Sequence, residues 1–507
     1  MRHPARALIA AALLGALSGC PERADRYDEY LGLSGPALAG GRAVFLSTGR
    51  RAALVLEPNS ANVAVVPLSG TPSLVLPRVG TAEVAVLCTA SERLDVVDVV
   101  RGERLRTYQL GSPFDALTLS EDGLYAIATF AGKGGGVFAN AAEVAIVSLA
   151  DAPGATNPST RTVASAGGAP AGIELSPPFG PKGRRIALIR STNHLAAIDV
   201  TAPAGATRSI PLVSPGSGAT VVPREAAFAL NGDILEVFVR VEGLDDIYHL
   251  RFDGTSDADG APLPVLNQFA VGGHPSDLAT WVTSEGVLKL ITVGGQSLTV
   301  VDVLTAQATV VPLGSGVAGL IIKGSSALAW PVGGTSSRFF RIALADLELK
   351  KSKAVEPKDL PYVIQDVKLV AGDAWYLVSH PNTEQGVTLV SATGNHIMPF
   401  TGTGTVSGVE TSDDGAEIYV ATNGPSGGHL SVINVATGHP ESMSLGYTGV
   451  QNLYHFAGTP WLLTANLYGF GRLTLIRGSD IAFGASRSLE AFGLSGLLDE
   501  TGTEVTP

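Results

Sequence analysis

VSGVETSDDGAEIYVATNGPSGGHLSVINVATGHPESMSLG, residues 406–446, decides the fold. Its apolar residues fall into four short runs: 406–411, 417–422, 429–435 and 441–445. Each run has the length and β-branched content of a strand. Between them stand Ser412-Asp413-Asp414-Gly415, a Gly-rich segment and Thr437-Gly438. Asp-Gly and similar pairs permit the positive φ of tight hairpins. The stretch therefore predicts one four-stranded antiparallel sheet, with strands A to D. Alone, such a sheet has two uncovered faces and two open edges.

The same unit returns along the chain. Strand B recurs at Ala43 (AVFLS), Glu83, Leu124 (LYAIAT), Arg185 (RIALIR), Ile234, Val287, Ala327, Ala374 (AWYLVS), Glu417 (EIYVAT) and Pro460. Its first and last copies, at Ala43 and Pro460, are nine intervals apart, a mean period of 46 residues. Strand C follows each time, as in RLDVVDV, EVAIVSL, HLAAIDV, DIYHLRF and SLTVVDV. Four strands per unit with a period in the forties predict an all-β fold, a β-propeller of four-stranded antiparallel blades. Ten units are counted. One ring of ten, two smaller rings and fewer blades all fit that count. No clear A strand precedes Ala43, which suits a ring closed by strands from both termini. The repeat domain is read as 40–493, with Arg487–Gly493 as its last strand and 494–507 as a tail.

Composition agrees with many short strands. The 507 residues are 45% apolar and only 16% charged, with 61 Gly and 31 Pro. A formal charge of −12 without a Lys/Arg block argues against nucleic acid and against electrostatic attachment to anionic lipid.

Residues 1–20, MRHPARALIAAALLGALSGC, carry Arg2 and Arg6 ahead of an apolar run from Ala7 to Leu17. That run is too short to span a bilayer and fits a secretory signal. Its end, Leu17-Ser18-Gly19-Cys20, resembles the lipobox of bacterial lipoproteins. The resemblance implies a signal peptide over 1–19 and a Cys20 that carries acyl chains into the lipid bilayer. Several acyl chains anchor a protein stably where one does not. Pro21 stands where the enterobacterial retention signal has Asp, so the outer membrane is expected. Residues 20–39 are read as lipidated Cys and tether. Cys88, in an apolar strand pattern, is read as a buried inert thiol.

Tyr419-Val420-Ala421-Thr422-Asn423 followed by Ser431-Val432-Ile433-Asn434-Val435 resembles the YVTN family of propeller repeats. Gly111-Ser112-Pro113 through Ser120-Glu121-Asp122-Gly123 matches the same pattern. The resemblance implies the fold and says little about function.

In a propeller the B–C and D–A connections share one face. Arg50, Arg51, His194, Arg338, His380, His429 and Arg472 lie at B–C positions and form the candidate face for a polar or anionic ligand. His380 and His429 are the pair to check for a metal. Asp253 to Gly260 has the look of a calcium loop but lacks the EF-hand Gly and Glu, and reads as a C–D connection. Nucleophile elbows and phosphate loops are absent; Gly132 to Gly136 opens no helix and lacks the Lys-Ser/Thr ending. No catalytic, cofactor-binding or metal residue is named. The expected function is a membrane-anchored envelope scaffold that binds another protein or a polar ligand. A lactonase-like hydrolase and an accessory factor for outer-membrane assembly are the alternatives.

Overall fold

The structure, a computed structural model, describes residues 31–131, 140–149, 159–162, 170–202, 205–214, 220–331, 333–349, 351, 353–370, 375–381, 386–392, 396–400, 404–425, 427–445, 449–466, 472–483 and 487–490. The stretch read as a signal peptide, Cys20, the Gly132 to Gly136 segment and the tail 494–507 lie outside these.

Ten four-stranded antiparallel sheets follow one another, each built from four consecutive strands hydrogen-bonded in chain order. The blades span 33–67, 74–109, 116–162, 172–211, 223–270, 277–312, 319–359, 366–400, 405–444 and 452–490. Strands A of neighbouring blades touch, as Asp277–Val282 touches Gly319–Lys323 and Thr405–Thr411 touches Asn452–His455. Strand A therefore lines the axis and strand D the rim.

The side-chain period of two makes the ring. Successive residues of a strand point to opposite faces, so each B and C strand feeds two neighbours. In blade 1, Phe45 and Leu54 pack with Phe456, Leu463 and Leu475 of blade 10, while Val44, Leu46 and Val55 pack with Val84, Val86 and Val97 of blade 2. Among the described residues ten such apolar clusters occur, one for each contact between successive blades. Each fully buried Val, Leu or Phe contributes about 1.5–3 kcal/mol. The sum over ten interfaces holds the blades.

The chain forms one ring of ten, and the tenth interface closes it. Trp461 of blade 10 donates from Nε1 to Asn59 Oδ1 of blade 1 at 2.8 Å. Arg477 stacks over the same indole, 4.8 Å from its centre. Closure by strands from both termini is not what occurs. Blade 1 has its own A strand, Leu33–Ala39, inside the stretch read as tether, and blade 10 is complete in itself. Gly35 and Pro36 hid that strand, because both residues normally argue against one. They are tolerated here where the pairing shifts register between Ser34 and Ala37, next to the channel.

The A–B turns form as their residues predict. Ser120 Oγ bonds Asp122 Oδ1 at 2.7 Å and receives the Tyr125 N–H at 2.9 Å. Ser412, Asp414 and Glu417 repeat this at 2.7 and 3.0 Å. Asp413 instead accepts the Gly458 N–H of blade 10 at 2.6 Å. Cys88 is buried; burial, with Asp95 beside it, pushes the thiol up to about 12. Blade 7 departs from the pattern with a short helix, Leu344–Glu348, between strands C and D.

Trp461→Ala should lower unfolding stability by about 3–5 kcal/mol, and Asn59→Ala by about 1 kcal/mol. Urea denaturation checks both. An unchanged midpoint in Trp461→Ala would mean that the seam between blades 10 and 1 does not hold the ring.

Candidate functional site

The two rims of the ring differ in what their side chains do. On the B–C and D–A face, the candidate residues are distributed over six blades and sit on strand C or the turn before it, two strands out from the axis. They surround that face without meeting at the channel mouth. Arg50 and Arg51 form the blade 1 turn, Arg51 at a φ of 52°. His194 starts strand C of blade 4, paired across the hairpin with Ser191. Arg338 is clamped by Asp359 through two bonds, 2.9 and 3.0 Å. His380 is buried, and both ring nitrogens are engaged, by the Val363 carbonyl and by Thr388 Oγ1, each at 2.8 Å. Burial holds its pKa below the usual imidazole value. His429 lies within strand C, opposite Ser444 and Thr422, because the hairpin extends to Gly424 and Gly427. Arg472 begins strand C of blade 10; its side chain is outside the described residues. Among the described residues no group of three His, Cys, Asp or Glu side chains could hold a metal.

Polar side chains on this face mainly fasten one blade to the next. Asn423, the Asn of the YVTN-like run, takes both the N–H and the carbonyl of Val450, each at 2.6 Å. Asn193 accepts from Val221 N–H at 2.6 Å. Asp95, fully buried, accepts from Ser69 N–H and Thr107 Oγ1 at 2.7 and 2.6 Å.

Strand A contributes carboxylates on the channel side. Glu174 is held by Arg190 Nε at 2.9 Å and Glu225 by Arg240 Nε at 2.7 Å. The Arg190 guanidinium lies over Gly172, where a Cβ would make it move. Asp277 accepts the Leu320 N–H of blade 7 at 2.7 Å. Burial, aided by Glu225, pushes Asp277 up to about 6, and burial pushes Glu410 up to about 7.

The A–B and C–D face carries the exposed apolar surface. Among the described residues, eight of the eleven exposed large aliphatic side chains belong to blades 5–7: Leu230, Leu263, Val265, Leu266, Val282, Leu304, Val310 and Leu349. Seven of these stand at A–B or C–D connections or at the adjoining strand ends. Two clefts open here on either side of the blade 6 C–D turn. The larger, of ≈ 460 Å³ between blades 6 and 7, is lined by Trp281, Lys289, Asp302 and the helix residues Leu344, Leu347 and Glu348. Lys289 bonds Asp302 at 2.7 Å. The other, of ≈ 330 Å³ between blades 5 and 6, is lined by Asn231, Glu236, His249, Arg251, Asn267, Gln268 and Phe269 of blade 5 and Val303, Leu304 and Ala306 of blade 6.

That second cleft has a charged wall inside a sheet interface. Glu236 and His249 are 1% and 2% exposed, and their Oε2 and Nε2 lie 2.7 Å apart. Arg251 Nε and Asn231 Nδ2 reach Glu236 Oε1 at 3.2 and 3.4 Å. Burial works to raise the Glu236 carboxyl, but His249, Arg251 and Asn231 together outweigh it and hold it below the usual range. The His249 ring stacks between Phe238 and Phe269, 5.0 and 4.6 Å away. Its Nδ1 is buried without a hydrogen-bond partner. Sequence reading passed over His249, although a signal existed. It is the fourth residue of DIYHLRF, where other C strands carry Val96, Ile146, Ala197 and Val300.

The calcium-like loop is held by cationic side chains of blade 4. Arg184 donates to the carbonyls of Gly260, Ser256 and Ala258 at 2.6–2.9 Å, and Lys182 pairs with Asp257 at 2.8 Å. It is a C–D connection that joins blade 5 to blade 4.

No protein-family model and no curated protein matches the chain. Solved structures resemble it in fold at low identity. The dihydro-heme d1 dehydrogenase NirN matches at 11% identity and a TM-score of 0.43, over 72% of this chain and 74% of that one. A eukaryotic initiation factor matches at 12% and 0.46, over 90% and 95%. Hydrazine synthase of Kuenenia stuttgartiensis matches at 10% and 0.31, over 89% and 97%.

Two stability experiments follow from these charges. His249→Ala removes one of three partners of the buried Glu236 carboxylate and should cost about 1.5–3 kcal/mol, while Glu236→Leu with His249→Leu should cost less. Denaturation of both variants checks this, and equal losses would refute the pairing. Asp277 and Glu410 have folded pKa values raised above their unfolded ones. The folded state then binds the extra protons, so their contribution is present at acid pH and is lost as pH rises through about 6 and about 7. Asp277→Asn with Glu410→Gln should flatten that decline between pH 5 and 8, measured by urea midpoints across about three pH units. Glu236 has the opposite sign, its stabilisation being lost as pH falls below the ordinary carboxyl range.

Proposed function

We propose that this protein is a lipid-anchored scaffold of the cell envelope, a YVTN-like propeller that binds another envelope protein with its A–B and C–D face. The observation that carries the reading is the concentration of exposed aliphatic side chains on blades 5–7 of that face. A concentration of exposed apolar side chains supports an interaction surface.

The geometry of the first blade says which face an anchor at Cys20 would hold. Gly32 and Leu31 accept N–H bonds from Thr48 and Gly49 of the B–C turn, both at 3.3 Å. The chain therefore leaves blade 1 on the B–C and D–A face. From Cys20 to Leu33 it reaches at most roughly 45 Å fully extended. An acylated Cys20 in the outer membrane would hold that face toward the bilayer and turn the apolar face outward to a partner.

Cys20→Ala should move the protein from the membrane fraction to the soluble fraction of envelopes; retention in the membrane would overturn the anchor. Leu304→Asp with Leu349→Asp should reduce crosslinked envelope partner at least tenfold while leaving membrane association intact. Unchanged crosslinking, or turnover of lactones or esters at enzymatic rates, would count against the scaffold.

A further inference from the structure

We propose that the cleft between blades 5 and 6 is a binding site for a carboxylate carried on a small apolar body. The inference deepens the binding-scaffold reading of the same face and rests on it.

At the position of His249, blades 2, 3 and 4 carry Val96, Ile146 and Ala197, packed in apolar interfaces, and blade 7 carries Arg341. Here that position, its neighbour Glu236 and the outer Arg251 replace apolar packing with a buried charged network. Taking such groups out of water is unfavourable unless something else is gained. The network is also incomplete. His249 Nδ1 is buried, faces no partner and belongs to a wall of an ≈ 330 Å³ cleft. That volume suits a small ligand.

The wall selects the ligand. Glu236 is saturated by His249, Arg251 and Asn231, so its charge is not offered to the cleft. Its role is to position Arg251, which it holds through Nε only. The Arg251 side chain is 42% exposed, and its two terminal nitrogens match the fork of a carboxylate. Asn267, directly opposite His249 on strand D and exposed, adds amide donors. Phe269 and Leu304, the latter 87% exposed, supply an apolar wall for the body of the ligand.

Charge balance links binding to a proton. Glu236 and Arg251 neutralise each other, and the other lining residues from strands A and D and from the blade 6 turn carry no titratable group besides His249. A bound carboxylate adds one negative charge, which His249 offsets by taking a proton at Nδ1 while Nε2 stays on Glu236. The imidazolium then has an acceptor on each side.

Two sources share this chemistry: a free short-chain acid, and the C-terminal carboxylate of a partner ending in an apolar residue. Calorimetric titration of the full chain with hexanoate, hexanol and a leucine-ended peptide, with its C-terminus free or amidated, separates them. Hexanoate should bind at least tenfold more tightly than hexanol, and more tightly at pH 6 than at pH 8, by up to tenfold for each pH unit for one proton. Arg251→Gln and the exposed Asn267→Leu should each weaken it about tenfold, and His249→Gln should abolish the pH dependence. A free peptide that outbinds hexanoate and fails when amidated assigns the site to a partner's chain end; hexanoate outbinding the peptide assigns it to a free acid. Equal binding of hexanol and hexanoate, or wild-type binding by both Arg251→Gln and Asn267→Leu, overturns the proposal. If carboxylates fail while Leu304→Asp with Leu349→Asp still loses the envelope partner, the ligand inference falls and the scaffold reading stands.

Discussion

The structure depends on one constraint: every blade has two apolar faces and can bury neither by itself. Alternation along strands B and C sends Phe45 one way and Val44 the other, and the same division recurs in each sheet. Stacking covers nine interfaces. The tenth exists only if the chain returns to its start, where Trp461 meets Asn59 across the whole length of the sequence. Closure therefore removes the last exposed pair of faces and makes an array of marginal sheets into one body.

This division of labour explains the polar residues. Near the B–C and D–A face Asn423 and Asn193 fasten their blades to the backbone leading into the next blade, and Asp95 on strand C of blade 2 accepts from Ser69 of the connection from blade 1. Side chains used in that way are not offered to a ligand. The opposite face has the exposed aliphatic residues, the two clefts and the charged wall around Glu236. Polar contacts fasten blades on both rims, and the A–B and C–D rim also carries the exposed aliphatic residues and clefts that a scaffold would use.

The fold was legible in the sequence because it is written ten times. Ser-x-Asp-Gly turns at Ser120 and Ser412 make the same bonds, and the apolar C-strand pattern repeats. What repetition cannot display is the exception. Leu33–Ala39 was missed because Gly35 and Pro36 break the strand pattern at the channel edge. The short helix Leu344–Glu348 is an insertion in blade 7 that the repeat pattern does not announce. Polarity near a B–C turn cannot separate His380, satisfied on both nitrogens, from a free imidazole. His249 sat inside an apolar strand, where only comparison with its sister units would have shown it out of place.

Closure of the ring is the central claim, and pulsed dipolar spectroscopy tests it most directly. Spin labels at the exposed positions Asn59 in blade 1 and Ala457 in blade 10, the latter four residues before the Trp461 that bonds Asn59, are far apart in sequence and lie on the two sides of the seam. One narrow, short distance is predicted. A broad or long distribution, as from an open or split array, would contradict the account.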